Sequence, residues 1–300
     1  MYNDLIKAID VILKSEDDDL SDLLASEGFS DTAYTVEQIN ALEDKFAEAL
    51  EKEREHFSND GNSPSLNDYI NHVKQDLMAS DTFAAAIGLA NKQVLEITLE
   101  QLTKTYMALL DKDVPFEMFT KATTNFINDW SEQLGEIMKL ASHDRLQEIL
   151  DIALENGDSV QDVIADLEDA YCFSRLRARR TAITEMLRAH SYAKNEAFTQ
   201  SPVVTKVQWK HSGGKGINPR KHHEALDGTT IKKNGKFTIY APSGTFKAMF
   251  PRDTNLPASE TVECHCTHSA VVDEDILGLS KEEKIKLRDE AIAEADKLYG

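Results

Sequence analysis

Through the first half of this 300-residue chain apolar residues recur every three or four positions, a pattern that has to be buried as helix faces. Val36, Ile39, Leu42, Phe46 and Leu50 form one stripe, with Thr35 and Gln38 placed as a capping box at its start. Ser65 and Asp68 offer a second start ahead of Tyr69, Val73 and Leu77. The longest run is Phe83, Ile87, Ala90, Val94 and Ile97, continued after one slip by Leu102, Tyr106 and Leu109, which predicts a helix with one continuous apolar stripe. Phe116, Phe119, Phe126, Trp130, Leu134 and Ile137 predict another, starting near Pro115. Leu146, Ile149, Leu150 and Leu154 lead to Asn156-Gly157, a C-cap signal, and Ser159 is placed to cap the helix that follows. Such stripes face one another in a bundle, or one of them docks on a partner.

The grammar changes at Ser174, which can cap a helix carrying Leu176, Ile183, Leu187, His190 and Phe198. Beyond Pro202 come short β-rich runs, Val203 to Trp209, Phe237 to Tyr240 and Ala248 to Phe250, separated by Gly213-Gly214-Lys215-Gly216, Asn218-Pro219 and Asn234-Gly235. Asn234-Gly235 lies between Ile231 and Phe237 and reads as a two-residue hairpin. Ser280 with Glu283 then starts a last helix through Leu298. The fold class expected is α+β: a mainly helical region over 1–170, a small α+β domain over 171–270, and a helical tail over 271–300.

Charge divides at the same place. Residues 1–170 hold 12 Lys and Arg against 37 Asp and Glu, net −25, whereas residues 171–270 hold 16 against 7, net +9. The first part is repelled by a phosphate backbone, and the second can touch one. Arg175, Arg177, Arg179, Arg180 and Arg188, with Lys206, Lys210, Lys215, Arg220 and Lys221, are the densest positive group and the candidate contacts to nucleic acid, unless they pair with the acidic helices of the same chain. Met1 to Leu13 is interrupted by Asp4, Lys7 and Asp10 and does not read as a secretory signal, and Glu16 to Asp19 is a solvated acidic run. Phe83 to Ala90, the longest weakly polar stretch, is far short of the roughly 20 residues that cross a bilayer, so no membrane partner is expected.

Three cysteines argue against a disulfide framework and for a reducing compartment, with Cys172 a small buried apolar residue. Five of the nine histidines fall between His211 and His268, beside the paired Cys264 and Cys266. Cys264-His265-Cys266-Thr267-His268 presents soft ligands, and His222 or His223 can cross from another loop to complete a zinc site. In an extended Cys-x-Cys both thiols share one face and His265 points away. The ligand set expected is His223, Cys264, Cys266 and, less firmly tied, His268, with zinc the only cofactor; the plain alternative makes the cysteines core residues and has His223 cap a turn through Asp227.

Arg179-Arg180-Thr181 with Glu185, Trp209, His223-x-x-x-Asp227-Gly228, Pro251-x-Asp253, Pro257-Ala258-x-Glu260 and Cys264-x-Cys266 follow one another in a fixed order. This series resembles the phage Mu protein F-like family of minor head proteins, whose members run Arg-Thr-Glu on a helix, Trp on a strand, His-x-x-Leu-Asp-Gly in a loop and a closing Asn-Cys-Arg-Cys. Here the closing motif reads Glu263-Cys264-His265-Cys266, and Ala-Ile-Thr intervenes between Thr181 and Glu185. The resemblance implies a minor head protein made in the host bacterial cytoplasm and placed in the virion, inside the capsid near the portal. Its partners would be the portal and other capsid or scaffold proteins, with packaged DNA met non-specifically, and its work head assembly, DNA packaging or DNA delivery.

Residue by residue the pattern also has structural uses. Asp227-Gly228 is a turn, Asp253 caps the segment between Pro251 and Pro257, and Arg180 with Glu185 can form a buried ion pair. Glu185 and His223 can equally act as general base and acid, but no nucleophile motif or phosphate-binding loop accompanies them, and Gly213-Gly214-x-Gly216 matches neither a P-loop nor a dinucleotide fingerprint. No catalysis is expected. The competing functions are a metal-dependent nuclease or toxin-like transferase, and a cytoplasmic nucleic-acid-binding adaptor.

Overall fold

The computed structural model describes residues 17–59, 63–212 and 219–299, so the expectations for Met1 to Leu13, Glu16, Gly213-Gly214-Lys215-Gly216 and Asn218 lie outside the described residues. Helices α1 (Asp17–Ser26), α2 (Thr32–Ser58), α3 (Leu66–His72), α4 (Phe83–Leu110), α5 (Lys121–Asn156), α6 (Val160–Glu168) and α7 (Arg175–Gln200) come first. Strands β1 (Val204–Lys210), β2 (Thr230–Lys232), β3 (Phe237–Ala241), β4 (Gly244–Ala248) and β5 (Thr267–Val272) follow, with the short helices α8 (Lys221–Glu224) and α9 (Ala258–Thr261) among them, then α10 (Glu274–Leu277) and α11 (Lys281–Tyr299). The fold is α+β, with a helical N-terminal region and a C-terminal helix.

Contacts gather these elements into two compact units, neither built from one stretch of chain. One takes Met1–Gln38, Leu95–Ile127 and Ile183–Gly300; the other takes Ile39–Val94 and Asn128–Ala182. The break in composition near residue 170 is therefore a break in charge and periodicity, while packing interleaves the segments. In the second unit Phe57, Tyr69, Val73, Leu146, Leu150, Val163, Leu167 and Phe173 share a core that includes Cys172. Burial pushes the Cys172 thiol up to about 11, as suits an inert core residue.

Several helix ends follow the sequence signals. Ser65 accepts the Asp68 amide, Gly157 turns out of α5 at φ +73°, and Ser159 and Asp162 cap each other at the start of α6. Ser174 accepts the Arg177 amide, and Ser280 with Glu283 opens α11.

Other ends move because a tertiary partner takes over. α2 begins at Thr32, not Thr35, and the Thr35 hydroxyl is engaged with the Asp31 carbonyl and with His190 Nε2 at 2.7 Å. α5 begins at Lys121, not near Pro115, because the Glu196 carboxylate accepts the Thr120 amide at 2.6 Å and the hydroxyls of Thr120 and Thr123. A carboxylate beside exposed N–H groups is the charge a helix N-terminus prefers. The long stripe on α4 also shifts: Leu95, Leu99 and Met107 are buried, whereas Ile97 and Leu109 face outward, as do Ile137 and Leu154 of α5.

The strands form two antiparallel sheets, β2-β1-β5 and β3-β4. Val207 faces Ile231 on one side and Ala270 on the other, and Trp209 lies opposite His268. Asn234, at φ +63°, does turn the chain, but β2 and β3 belong to different sheets, so Asn234-Gly235 connects sheets and does not close a hairpin. The run Ala248 to Phe250 ends β4 and does not start a strand.

Candidate functional site

The portion of α7 from Ile183 to Gln200 is buried on nearly every side although half of it is polar. A helix of that kind needs a partner for each polar group. Arg188 pairs with Glu185 at 3.1 Å, both nearly inaccessible, and donates to the Arg252 carbonyl. The fully buried Arg252 guanidinium donates to the Leu187 and Cys264 carbonyls and to the Ser191 hydroxyl. One turn further, Lys194 donates to Thr267 at 2.7 Å and to the Gly28 carbonyl, and lies over the rings of Phe29 and Tyr106. Burial, with the Arg252 charge adding, pulls Lys194 down to about 7. His190 lies between the hydroxyls of Thr35 and Tyr106, each 2.7 Å from a ring nitrogen, and burial holds it well below the usual histidine range.

The motif residues are engaged as well, each by a partner close to it. The Asp227 carboxylate accepts the His211 amide, and Gly228, at φ +76°, bonds the Trp209 carbonyl. Asp253 accepts the amides of Met249 and Asn255, which is the expected cap after Pro251. The Thr181 hydroxyl donates to the Arg177 carbonyl. The buried ion pair on α7 is Glu185 with Arg188, while Arg180 donates to the Tyr171 hydroxyl and lies over that ring.

The basic residues read as contacts to nucleic acid divide in two. Arg175 pairs with Glu43 and Asp44, and Arg179 with Glu43 and Asn40. Arg177 donates to the carbonyls of Met138 and Cys172 and to Ser142, and Arg220 donates to the carbonyls of Ser259 and Val262. With Arg188 buried, most of these arginines are engaged by the chain's own acids and carbonyls, although the Arg175 side chain is 64% exposed. Lys206 and Lys221 are exposed, Lys210 is half-buried, and Lys215 lies outside the described residues.

The sulfur and imidazole groups converge as expected, with one substitution. Cys264 Sγ is 3.6 Å and Cys266 Sγ 3.8 Å from His223 Nδ1, and all three residues are buried. The segment is not an extended strand: Glu263 is left-handed at φ +56°, and the Cys264 amide bonds back to Thr261 as α9 ends. His265 does point away, to the Glu27 carboxylate at 2.6 Å. His268 is the correction, for its ring packs against Phe198 and Phe250 and both its nitrogens are buried without a partner. In its place His211 brings Nδ1 to 3.6 Å from Cys266 Sγ. His223 does not cap a turn through Asp227, because its Nε2 meets the Glu260 carboxylate at 2.9 Å, beside His222 at 2.7 Å. The bond from Cys266, with His223 and Arg252 adding, holds the Cys264 thiol well below the ordinary thiol range, and Cys266 is raised in turn.

Glu260, Glu27, Glu196, Lys194 and Arg252 carry this site and were invisible to sequence reading as partners. The only trace is that α7 carries too many polar residues for a helix so central.

Comparison with known proteins adds a lineage to this geometry. A family model described as phage Mu protein F like protein matches residues 144–269. A Bacillus subtilis (strain 168) protein, YqbB, described as uncharacterized, is 45% identical over 219 residues, covering 73% of this chain and 71% of that protein. No solved structure matches the chain.

Proposed function

The chain belongs to the phage Mu protein F-like family, and from that membership we propose that it is a minor head protein of a tailed phage, bound to the portal and its capsid or scaffold neighbours inside the assembling head. The family is one of phage head morphogenesis. The observation that carries the reading is the inward saturation of the motif residues. Glu185, Asp227, Asp253 and Thr181 each satisfy a cation, an amide or a carbonyl of the chain itself, which is how residues act when they hold a shape that other proteins recognise.

Protein partners suit the surface better than DNA does. The chain carries a net charge of −20, and most of the arginines that would offset it locally are engaged internally. On α4 and α5 the side chains of Leu89, Ile137 and Leu140 stand exposed, and these are assigned to contacts with the portal or capsid. No helix among the described residues is long and apolar enough to cross a membrane.

The test is incorporation. Full-length protein expressed with the portal, scaffold and major capsid proteins of the same phage should co-purify with assembled heads in few copies. The double variant Leu89→Glu/Leu140→Glu should fold, as judged by circular dichroism, and incorporate at least tenfold less. Heads assembled without any copy of the wild-type chain would sink the reading.

A further inference from the structure

We propose that His223 Nδ1, Cys264 Sγ and Cys266 Sγ, which lie within 4.8 Å of one another, hold one zinc ion, and that His211 Nδ1, 3.6 Å from Cys266 Sγ but outside that close group, swings in as the fourth ligand, tying His211 and helix α8 to the turn between α9 and β5. Zinc bonds of about 2.3 Å to sulfur and about 2.0–2.1 Å to nitrogen, at tetrahedral angles, set sulfur-to-nitrogen edges of about 3.6 Å. The three edges seen are 3.6, 3.8 and 3.6 Å. A thiol–imidazole hydrogen bond spans a similar distance, so the distinguishing feature is that both sulfurs converge on the same imidazole nitrogen.

The surroundings are those of a ligand set. A ligating histidine ordinarily donates its second ring N–H to a carboxylate, which fixes the tautomer and turns the other nitrogen's lone pair toward the ion. His223 does this with Glu260 at 2.9 Å, which leaves Nδ1 as the acceptor facing both sulfurs. His211 is held through its backbone, whose amide donates to Asp227, while its Nε2 is 4.0 Å from the half-exposed Glu224 carboxylate, beyond hydrogen-bond distance. Two thiolates balance a divalent ion, and a mixed nitrogen and sulfur set in tetrahedral arrangement selects zinc over the harder cations.

The neighbouring candidates are occupied otherwise. His265 is engaged with Glu27, and His268 is enclosed by Phe198 and Phe250. His222, His223 and Glu260 also lie close together, but there both rings point their Nε2 at the same carboxylate oxygen, an arrangement already satisfied by hydrogen bonds. The family-pattern residues gain a reason from the same geometry: the Asp227-Gly228 turn positions His211, and Pro257-Ala258-x-Glu260 delivers the carboxylate that orients His223.

Full-length protein, purified under reducing conditions without a metal-affinity step, is assayed by elemental analysis and then exchanged with cobalt(II). About one zinc per chain is expected, and the cobalt form should show thiolate-to-cobalt charge transfer in the near ultraviolet with visible bands of tetrahedral intensity. Glu260→Gln should weaken zinc in competition with a chelating dye by about 10–100-fold. His211→Gln should lower zinc retention while His268→Gln leaves it at wild-type level. Zinc far below one per chain together with no cobalt–thiolate band, or a Cys264–Cys266 disulfide in the freshly isolated protein, overturns the proposal. If His268→Gln loses the ion and His211→Gln keeps it, the assignment of the fourth ligand is wrong. The wild-type cobalt spectrum decides even where a variant fails to fold.

Discussion

Lys194 is a cation placed where cations are expensive, and its protonation should be visible in stability. In the unfolded chain it titrates near 10.5, whereas in the fold burial brings it to about 7. Between those values the unfolded state binds the extra proton, so stability rises with pH across that window and the full cost is present below it. Lys194→Met should therefore stabilise the protein most at pH 6, with the advantage shrinking toward pH 10 by at most about 1.4 kcal/mol per pH unit; urea midpoints at pH 6, 8 and 10 measure it. Glu53 acts with the opposite sign. Burial, with the Asp81 charge adding, raises it to about 8, so its contribution falls as pH climbs from 4.5 toward 8. Glu53→Gln should flatten that fall and leave the rise above pH 8 in place. If both variants keep the wild-type pH profile, neither group titrates as its burial demands.

Where α4 passes α5, backbone meets backbone. A Cβ on Gly135 would overlap the Ala84 carbonyl, and one on Gly88 would press on the Ser131 carbonyl at 3.0 Å. Alanine ordinarily gains about 1 kcal/mol over glycine inside a helix. At Gly135 the overlap should reverse the sign and cost about 1–3 kcal/mol, read as a lower urea midpoint for Gly135→Ala. Such crossings show what was legible in the sequence and what was not. Periodicity locates α2, α3, α4, α5 and α7, and the local caps Ser65, Ser159 and Ser280 are readable because donor and acceptor lie three residues apart. The starts of α2 and α5 are not, since the groups that set them, His190 and Glu196, come from α7, far along the chain. The same holds for the candidate site. Cys264, Cys266 and His223 are legible because their chemistry is rare, whereas His268, the fourth ligand expected, lies opposite Trp209 in the β1–β5 register and packs on Phe198, and nothing in the sequence singles out His211. For the arginines of α7 the sequence leaves two readings open, contacts to nucleic acid or pairing with the chain's own acids, because it shows charge but not which carboxylate answers it, and Arg175 and Arg179 pair with Glu43.

At the scale of the whole chain the acidic excess should govern encounters with nucleic acid. Proteins that bind DNA without specificity do so with dissociation constants of about 10⁻⁴–10⁻⁶ M at physiological salt by releasing counterions from several phosphates. With its arginines engaged internally and a net charge of −20, the full-length chain should show no saturable binding in that range by fluorescence anisotropy at 150 mM salt, a concentration chosen as roughly physiological. Micromolar binding with a steep salt slope would return Lys206, Lys210, Lys215 and Lys221 to the account. The unit that carries the candidate site has a further property, which follows from its assembly out of three separated segments. His265 meets Glu27 across 238 positions, and Lys194 reaches the Gly28 carbonyl across 166. Contacts so distant close late and slowly, because the entropy of a long loop is lost before the contact returns anything. During synthesis α1 must wait, its Glu27 without its imidazole, until residue 265 has cleared the ribosome. The fold around Glu27 is thus completed only once residue 265 has been made, so products that stop short of it lack the partner that the buried Glu27 carboxylate needs.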